Sequence, residues 1–360
     1  MPTIHDVARR AGVASVTVSR YLNASAPVSP GVRVKIERAI VQLGYVPNAL
    51  AQGLKSRYTR TLGLVVSDVT NPFFTSIARE SEDVAHMHGY SLILCNTDED
   101  MSKQERYMGI LFSKKVDGLL MTPVGDDSGT ITAWRRRSGP ITVIDRVPAG
   151  MDYRSFGIDI VRGDSLNAAE ELVGHLVSHG HRRIGLVNGP LNILTARERR
   201  LGYHHALQKV NIPLDPALEF HGPFKIETGR AAMGVLLNVC HPPTAIFATN
   251  NFLAIGVLSA TRERGLQVPD DIAIVAFDEI PQMELVAPFL TVARQPAAEI
   301  GRCATQLLLE RLTHERRESK SAAEPTQFKE GREVILEVRI VVRQSCGCPS
   351  DPGALVACPH

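Results

Sequence analysis

No long uncharged apolar run interrupts the 360 residues and no signal peptide is visible, so the sequence does not read as membrane-spanning or exported. Its six cysteines lack the regular spacing of a disulfide framework and point to reduced thiols in the cytoplasm. The twelve histidines are read as carrying no zinc-type spacing, and His204-His205 as a pair facing solvent. Cys346-Gly347-Cys348, with Cys358 and His360 behind it, could hold a thiophilic metal, but a lone Cys-x-Cys is a weak signal and the stretch is read as an inert flexible tail; no metal and no cofactor are expected. A Gly-x-Ser-x-Gly elbow, a P-loop and a recognisable pair of catalytic carboxylates are all missing, which leaves an enzyme without support. Nor does a heptad repeat mark the C-terminus, so a coiled-coil tetramer has none either.

What remains is a composition of 44% apolar and 22% charged residues, ordinary for a globular chain with room for two or three domains. The net charge of +2 conceals an asymmetry. Residues 1–60 hold nine Lys/Arg against Asp6 and Glu37, whereas the other 300 hold 31 basic and 36 acidic residues. A basic end on a mildly acidic body suits contact with phosphates at that end only.

The basic end has a pattern of its own. Thr3 and Asp6 stand where a capping box opens a short helix, Gly12 breaks it, and Val18 and Leu22 mark the inward face of a second helix from about Ser15. Ser29-Pro30 opens a third, with Val32, Ile36, Ala39, Ile40 and Leu43 on one face and Gly44 at its end. Two short helices around a glycine turn, backed by a third, make a helix-turn-helix headpiece over residues 1–45.

The runs Ile4-His5-Asp6-Val7-Ala8, Ala11-Gly12-Val13, Thr17-Val18-Ser19-Arg20, Leu22-Asn23 and Leu43-Gly44-Tyr45-Val46-Pro47-Asn48 resemble, in order, the headpiece of the lac repressor family of bacterial transcription regulators. The resemblance continues through Asp68 to Phe74, Val116 to Leu120, Ile144-Asp145-Arg146, Gly180 to Gly185, Arg199 to Tyr203, Ala245 to Asn251 and Phe277-Asp278. It implies a small all-α headpiece, a hinge at 46–60, and an α/β periplasmic-binding-protein-like body of two parallel-sheet subdomains at 61–343, with a tail at 344–360. Strand-like runs agree with that body: Leu62–Ser67, Tyr90–Cys95, Gly118–Thr122, Ile141–Asp145, Ile184–Val187, Ala245–Ala248 and Ile272–Phe277, with helical stretches between. Ala297 to Leu312 reads as a long helix, residues 313–332 as a charged surface excursion, and Val334 to Val342 as one strand. The run Phe252 to Gly256 reads as helix packing.

By resemblance, Ser15 and Val16 occupy the main specificity positions of the recognition helix and Arg20 a third base-contacting position, suited to guanine O6 and N7. Thr17, Asn23, Asn48 and Lys55 are placed with them on the DNA side. Ala14 stands where a capping serine is common. Asn48 can cap a hinge helix too short to persist alone, and Leu54 matches the leucine that wedges into the minor groove, which would make hinge folding and operator binding one event.

Phe73 and Phe74 follow the first strand, where open α/β sheets place ligands. Arg199, Asn250 and Asp278 match effector-contacting positions of the family and offer a donor fork, an amide and an acceptor; Asp145, Arg146 and Asp159 are further candidates. Asn251 replaces an aspartate common there, putting one sugar-hydroxyl contact in doubt.

The expectation is therefore a cytoplasmic homodimeric repressor, without membrane contact, that binds a palindromic double-stranded operator and is switched by a small-molecule effector. A sugar or sugar derivative is expected; a purine or nucleoside is the alternative, and a transport solute-binding protein of the same body fold a weaker one.

Overall fold

The structure is a computed structural model that describes residues 2–22, 26–45, 58–126, 128–137, 139–280, 289–318 and 329–348. The chain divides into two compact units, Met1–Thr59 and Arg60–His360. Asn23, Asn48, Leu54 and Lys55 fall outside the described residues.

The first unit carries three helices, α1 (Ile4–Ala11), α2 (Ser15–Leu22) and α3 (Pro30–Leu43). Thr3 closes the capping box on α1: its backbone N–H donates to Asp6 Oδ2 at 2.8 Å and its hydroxyl accepts from the Asp6 N–H at 3.3 Å. Gly12 and Gly44 end α1 and α3 at φ of +66° and +56°, a left-handed conformation that a Cβ would strain. Ser29 occupies the N-cap of α3 without making the capping bond, so Pro30 opens that helix. Val7, Ala8, Ala11, Val18, Ile36 and Ala39 form the buried core, and Leu22 packs on it.

The body consists of two six-stranded sheets with the same strand plan. The first runs β11-β5-β4-β3-β1-β2, where β1 is Thr61–Val66, β2 Ser91–Asn96, β3 Gly118–Met121, β4 Ile141–Ile144, β5 Asp159–Gly163 and β11 Glu333–Leu336. The second runs β12-β10-β9-β8-β6-β7, where β6 is Ile184–Asn188, β7 Glu219–His221, β8 Ala245–Ala248, β9 Ala273–Phe277, β10 Thr291–Arg294 and β12 Arg339–Val341. All pairings are parallel except β12 on β10. Central strands such as β3, β4, β8 and β9 are buried throughout, because helices cover both faces, which is why they read as plain apolar runs.

Seven of the helices flank the sheets: α4 (Pro72–Met87), α5 (Met101–Ser113), α7 (Ser165–Ser178), α8 (Leu194–Lys209), α9 (Ile226–Leu236), α10 (Asn251–Glu263) and α11 (Ala297–Glu318), with a shorter α6 (Ser128–Arg137). α7 packs on α8, α9 on α10, and α11 on α4. The α9–α10 crossing is close: a Cβ on Gly256 would lie 2.1 Å from the Ile226 carbonyl oxygen, and one on Gly229 2.2 Å from that of Leu253. Each sheet thus has a core on either face.

The chain crosses between subdomains after β5, after β10 and between β11 and β12. The single strand expected over Val334 to Val342 is therefore two, one in each sheet, and the helix expected to end at Leu312 continues to Glu318. Residues 344–348, expected beyond the body, are built into it. A 3-10 turn at Gln344–Cys346 lies against β9 and β10, with the Ser345 hydroxyl donating to the Ile274 carbonyl at 2.6 Å and accepting from the Thr291 N–H at 2.8 Å, while Cys346 is wholly buried.

Candidate functional site

On the headpiece, Val16 is 61% exposed, Arg20 is exposed, and Ser15 and Thr17 are half-buried, while Val18 alone of this helix is fully inside. The outward edge of α2 therefore presents an apolar methyl pair, hydroxyls and a guanidinium, which is the chemistry of major-groove readout. Ser15 Oγ also lies 2.9 Å from His5 Nδ1, tying the start of α2 to α1. Ala14 accepts backbone bonds from Thr17 and Val18 at the cap position without a side-chain cap.

Within the body, a cavity of about 570 Å³ opens at the C-terminal ends of the strands of both sheets. Phe73, Phe74, Asp145, Arg146, Arg199, Asn250 and Asp278 all line it. Asp159 does not. It sits at the start of β5, away from the strand ends that face the cavity, and Arg311 grips it through two bonds of 2.6 Å while Arg332 adds a backbone N–H at 2.8 Å. Burial alone would raise its pKa, but these bonds outweigh burial and hold the carboxyl below its ordinary range. Its chemistry is consumed in anchoring α11 and the segment behind it to the sheet.

The cavity walls grow out of strand ends. Asp145 follows β4 and Asp278 follows β9, the equivalent strand of the other sheet, and both adopt left-handed φ of +67° and +69°. Such backbone costs a non-glycine residue about 1–2 kcal/mol, least for Asp and Asn, and here it turns two carboxylates toward the cleft. Arg199, on the second turn of α8, is 4% exposed; its Nη1 donates to the Thr249 carbonyl at 2.7 Å, its guanidinium lies 3.7 Å over the Phe277 ring, and its Nε has no hydrogen-bond partner among the described residues. Burial lowers the Arg199 pKa against the pull of Asp278; burial likewise raises Asp278 against Arg199 and the Gln295 amide, which donates to it at 2.6 Å. Arg146 is committed to Glu99 through two bonds of 2.7 Å. Asn250 caps α10 by accepting from the Leu253 N–H at 3.1 Å. Phe73 and Phe74 meet edge to face at 5.1 Å.

Several lining residues were passed over by the sequence reading: Asp68, Asn71, Glu99, Lys225, Phe224, Phe252 and Gln295. Phe252, assigned to helix packing, is half-buried on the cavity wall, whereas Leu253 and Ala254 beside it do pack into the core. Asp68 and Asn71 share the strand-end signal that identified Phe73. Glu99 and Gln295 carry no local signal, because the partners that position them, Arg146 and Asp278, are distant in sequence. Asn251 turns out to face Asn71 rather than the cavity.

The histidines also differ from expectation. His204 is not solvent-facing but lies 2.7 Å from Glu219 Oε1, and His205 lies 3.3 Å from Glu170 Oε2. His175 and His179 do stand four apart, in the last turn and at the C-cap of α7, a spacing the sequence reading missed.

An apolar and aromatic cleft with convergent polar groups between two sheets, and a separate helix-turn-helix unit, define a regulator with a sensing body. The profile described as "Bacterial regulatory proteins, lacI family" matches residues 3–48, and that described as "Periplasmic binding proteins and sugar binding domain of LacI family" matches residues 59–331. The chain belongs to the lacI family of bacterial regulatory proteins: it is a DNA-binding transcription regulator with an effector-binding body. It is 37% identical over 317 residues to the ribose operon repressor of Escherichia coli (strain K12), covering 87% of this chain and 94% of that one. To the HTH-type transcriptional repressor PurR of Haemophilus influenzae (strain PittEE) it is 35% identical over 315 residues, covering 87% and 92%. The lac repressor dimer bound to operator and the anti-inducer ONPF superposes with a TM-score of 0.80 at 27% identity, covering 96% and 99%. These relatives are transcriptional repressors rather than enzymes. Among the described residues no helix is long and apolar enough to cross a membrane.

Proposed function

We propose that this chain is a cytoplasmic, non-catalytic repressor, active as a homodimer on a palindromic operator, whose affinity for DNA is switched by an uncharged polyhydroxylated ligand, a sugar or sugar derivative, held in the body cleft. The headpiece over residues 1–45 and the hinge over 46–60 serve the DNA, with Ser15, Val16, Thr17, Arg20, Asn23, Asn48, Leu54 and Lys55 as its contacts; the body from 61 onward serves the ligand.

The observation that carries the ligand class is the charge balance of the cavity. Its lining holds five carboxylates, Asp68, Asp98, Glu99, Asp145 and Asp278, against Arg146, Arg199 and Lys225. Glu99 and Arg146 neutralise each other and Asp98 pairs with Lys103 outside the lining, which leaves Asp68, Asp145 and Asp278 against Arg199 and Lys225: a surplus of one carboxylate, which disfavours phosphates and acids but accepts hydroxyl protons. Arg199 Nε and Gln295 Oε1, without hydrogen-bond partners among the described residues, supply one donor and one acceptor for the same ligand, and Phe73, Phe74, Phe224 and Phe252 supply apolar faces for ring C–H groups. Closing two subdomains on such a ligand changes their relative angle, and with it the spacing of the two hinges of a dimer.

The test is thermal unfolding of the full-length protein against neutral sugars, sugar phosphates, sugar acids and nucleosides. A ligand at 100 times its Kd adds about 2.7 kcal/mol. Stabilisation by a neutral sugar that also shifts operator affinity supports the reading. A response confined to phosphorylated or acidic sugars overturns the charge argument, and one confined to nucleosides favours the purine alternative.

A further inference from the structure

Away from the cleft, four side chains from two distant stretches of sequence meet at the C-terminal end of α7. His175 Nε2 lies 3.2 Å from Cys346 Sγ and 3.6 Å from Cys348 Sγ, and these three atoms are all within 4.8 Å of one another. His179 Nε2 lies 3.0 Å from Cys348 Sγ. We propose that His175, His179, Cys346 and Cys348 form a tetrahedral site for a thiophilic divalent cation, Zn²⁺ above all, that clasps the 344–348 segment to α7.

Tetrahedral zinc, with bonds of about 2.3 Å to sulfur and 2.0–2.1 Å to nitrogen, sets its S and N ligands roughly 3.5 Å apart. The two S–N distances from His175, 3.2 and 3.6 Å, bracket that value, and these three ligands already stand together; the exposed His179, 3.0 Å from Cys348 Sγ, is the fourth ligand that a turn of its side chain brings onto the metal. The tautomers suit the role as well. His179 Nδ1 lies 2.9 Å from the His175 carbonyl oxygen, which only accepts, so the ring proton sits on Nδ1 and the lone pair on Nε2 faces Cys348. Cys346 is wholly buried; its thiol donates to the Arg343 carbonyl at 3.1 Å, and the Thr291 hydroxyl, shared between that carbonyl at 3.1 Å and the sulfur at 3.2 Å, can turn to the sulfur once the thiol proton is lost to a metal.

Two thiolates this close in a largely buried turn repel each other. A dication reverses that repulsion: two Cys–S bonds to the metal form, the remaining thiol protons leave to solvent, and two thiolates with two neutral imidazoles balance its charge. The carbonyl end of the α7 dipole adds a further attraction for the cation. The turn is preorganised, since Ser345 already zips it between β9 and β10.

The experiment titrates thiol-reduced, chelator-treated full-length protein with Co²⁺ and then Zn²⁺. The expected result is one Co²⁺ per chain with tetrahedral ligand-field and thiolate charge-transfer bands, displaced by Zn²⁺, and a rise in Tm with Zn²⁺. His179→Gln and Cys348→Ser replace exposed and half-buried groups and keep the fold, checked by circular dichroism; each weakens binding at least tenfold. Cys358→Ser with His360→Gln leaves it unchanged. An octahedral spectrum, no binding, binding that survives Cys348→Ser, or binding lost only with Cys358 and His360 overturns the site.

Discussion

Asn71 and Asn251, 180 residues apart, exchange side-chain amide hydrogen bonds between the two subdomains: Asn71 Nδ2 donates to Asn251 Oδ1 at 3.2 Å, and Asn251 Nδ2 donates to Asn71 Oδ1 at 2.9 Å. Each oxygen also accepts a backbone N–H at the start of a helix, Asn71 from Phe73 at 3.0 Å and Asn251 from Phe252 at 2.9 Å. Those backbone donors fix which end of each amide is oxygen, so the exchange is reciprocal by necessity. Both side chains are buried, one helix start carries Phe73 and the other Phe252, and the pair therefore couples the two aromatic walls of the cavity.

A double-mutant cycle tests that coupling. Asn71→Ala and Asn251→Ala each leave a buried amide partner unsatisfied, at a cost of about 1–3 kcal/mol in urea unfolding. The double variant loses less than the sum, with an interaction of about 0.5–3 kcal/mol. Additive losses would show that the two amides stabilise their own helices and do not hold the subdomains together.

Arg20 projects from the exposed edge of α2 and carries the planar donor fork of the recognition surface we propose it forms with Ser15, Val16 and Thr17. Arg20→Ala is expected to cost roughly 1–3 kcal/mol in operator binding and to relax the preference at one base position, read by selection from randomised sites. A uniform loss across all sequences, with a salt slope reduced by about one, would instead make Arg20 a phosphate contact.

Asp278→Asn keeps the shape of the cavity wall and the left-handed turn but removes a charged acceptor, and Asn can still meet Gln295. Operator binding without ligand should stay as in the parent, while the affinity for the sugar identified by thermal shift falls by about 1.5–3 kcal/mol, the range for hydrogen bonds to charged groups. Arg199→Ala should abolish the response altogether, since it removes both the free Nε and the ring-stacked guanidinium. Full ligand response in either variant removes that residue from the site.

The parts of this molecule that the sequence discloses are those governed by local rules. The capping box at Thr3, the glycine stops at Gly12 and Gly44, and the apolar runs of β1, β3, β4, β8 and β9 follow from neighbours in the chain. Strand-end placement likewise brought out Phe73 and Phe74, whereas Asp145 and Asp278 came from the family resemblance. What escaped is non-local. β5 begins with Asp159 and contains Arg162, and the partners of these charged groups, Arg311, Arg332, Glu198 and Glu333, come from far along the chain, so it does not read as an apolar strand. Val334 to Val342 alternates like one strand, yet which sheet each half joins is decided by the crossover. The Cys346–Cys348 pair read as tail because its partners, His175 and His179, lie some 170 residues away.

The Asp159–Arg311 pair gives the last prediction, and its sign follows from the lowered carboxyl. A folded-state pKa below the unfolded value contributes stability that is full above the ordinary Asp value of about 3.9 and is lost as pH falls through the lowered one. Because Asp159 is wholly buried and Arg311 nearly so, solvent screens little of the interaction. Asp159→Asn leaves two buried guanidinium bonds uncompensated and should cost about 3–5 kcal/mol at pH 7, measured by denaturant unfolding. As pH falls through and below the lowered Asp159 value, the parent protonates the same carboxyl and the gap to the variant should close. A gap that stays constant from pH 7 to the acid limit would show that Asp159 stabilises α11 by shape alone, and that its charge is not what holds the returning helix to β5.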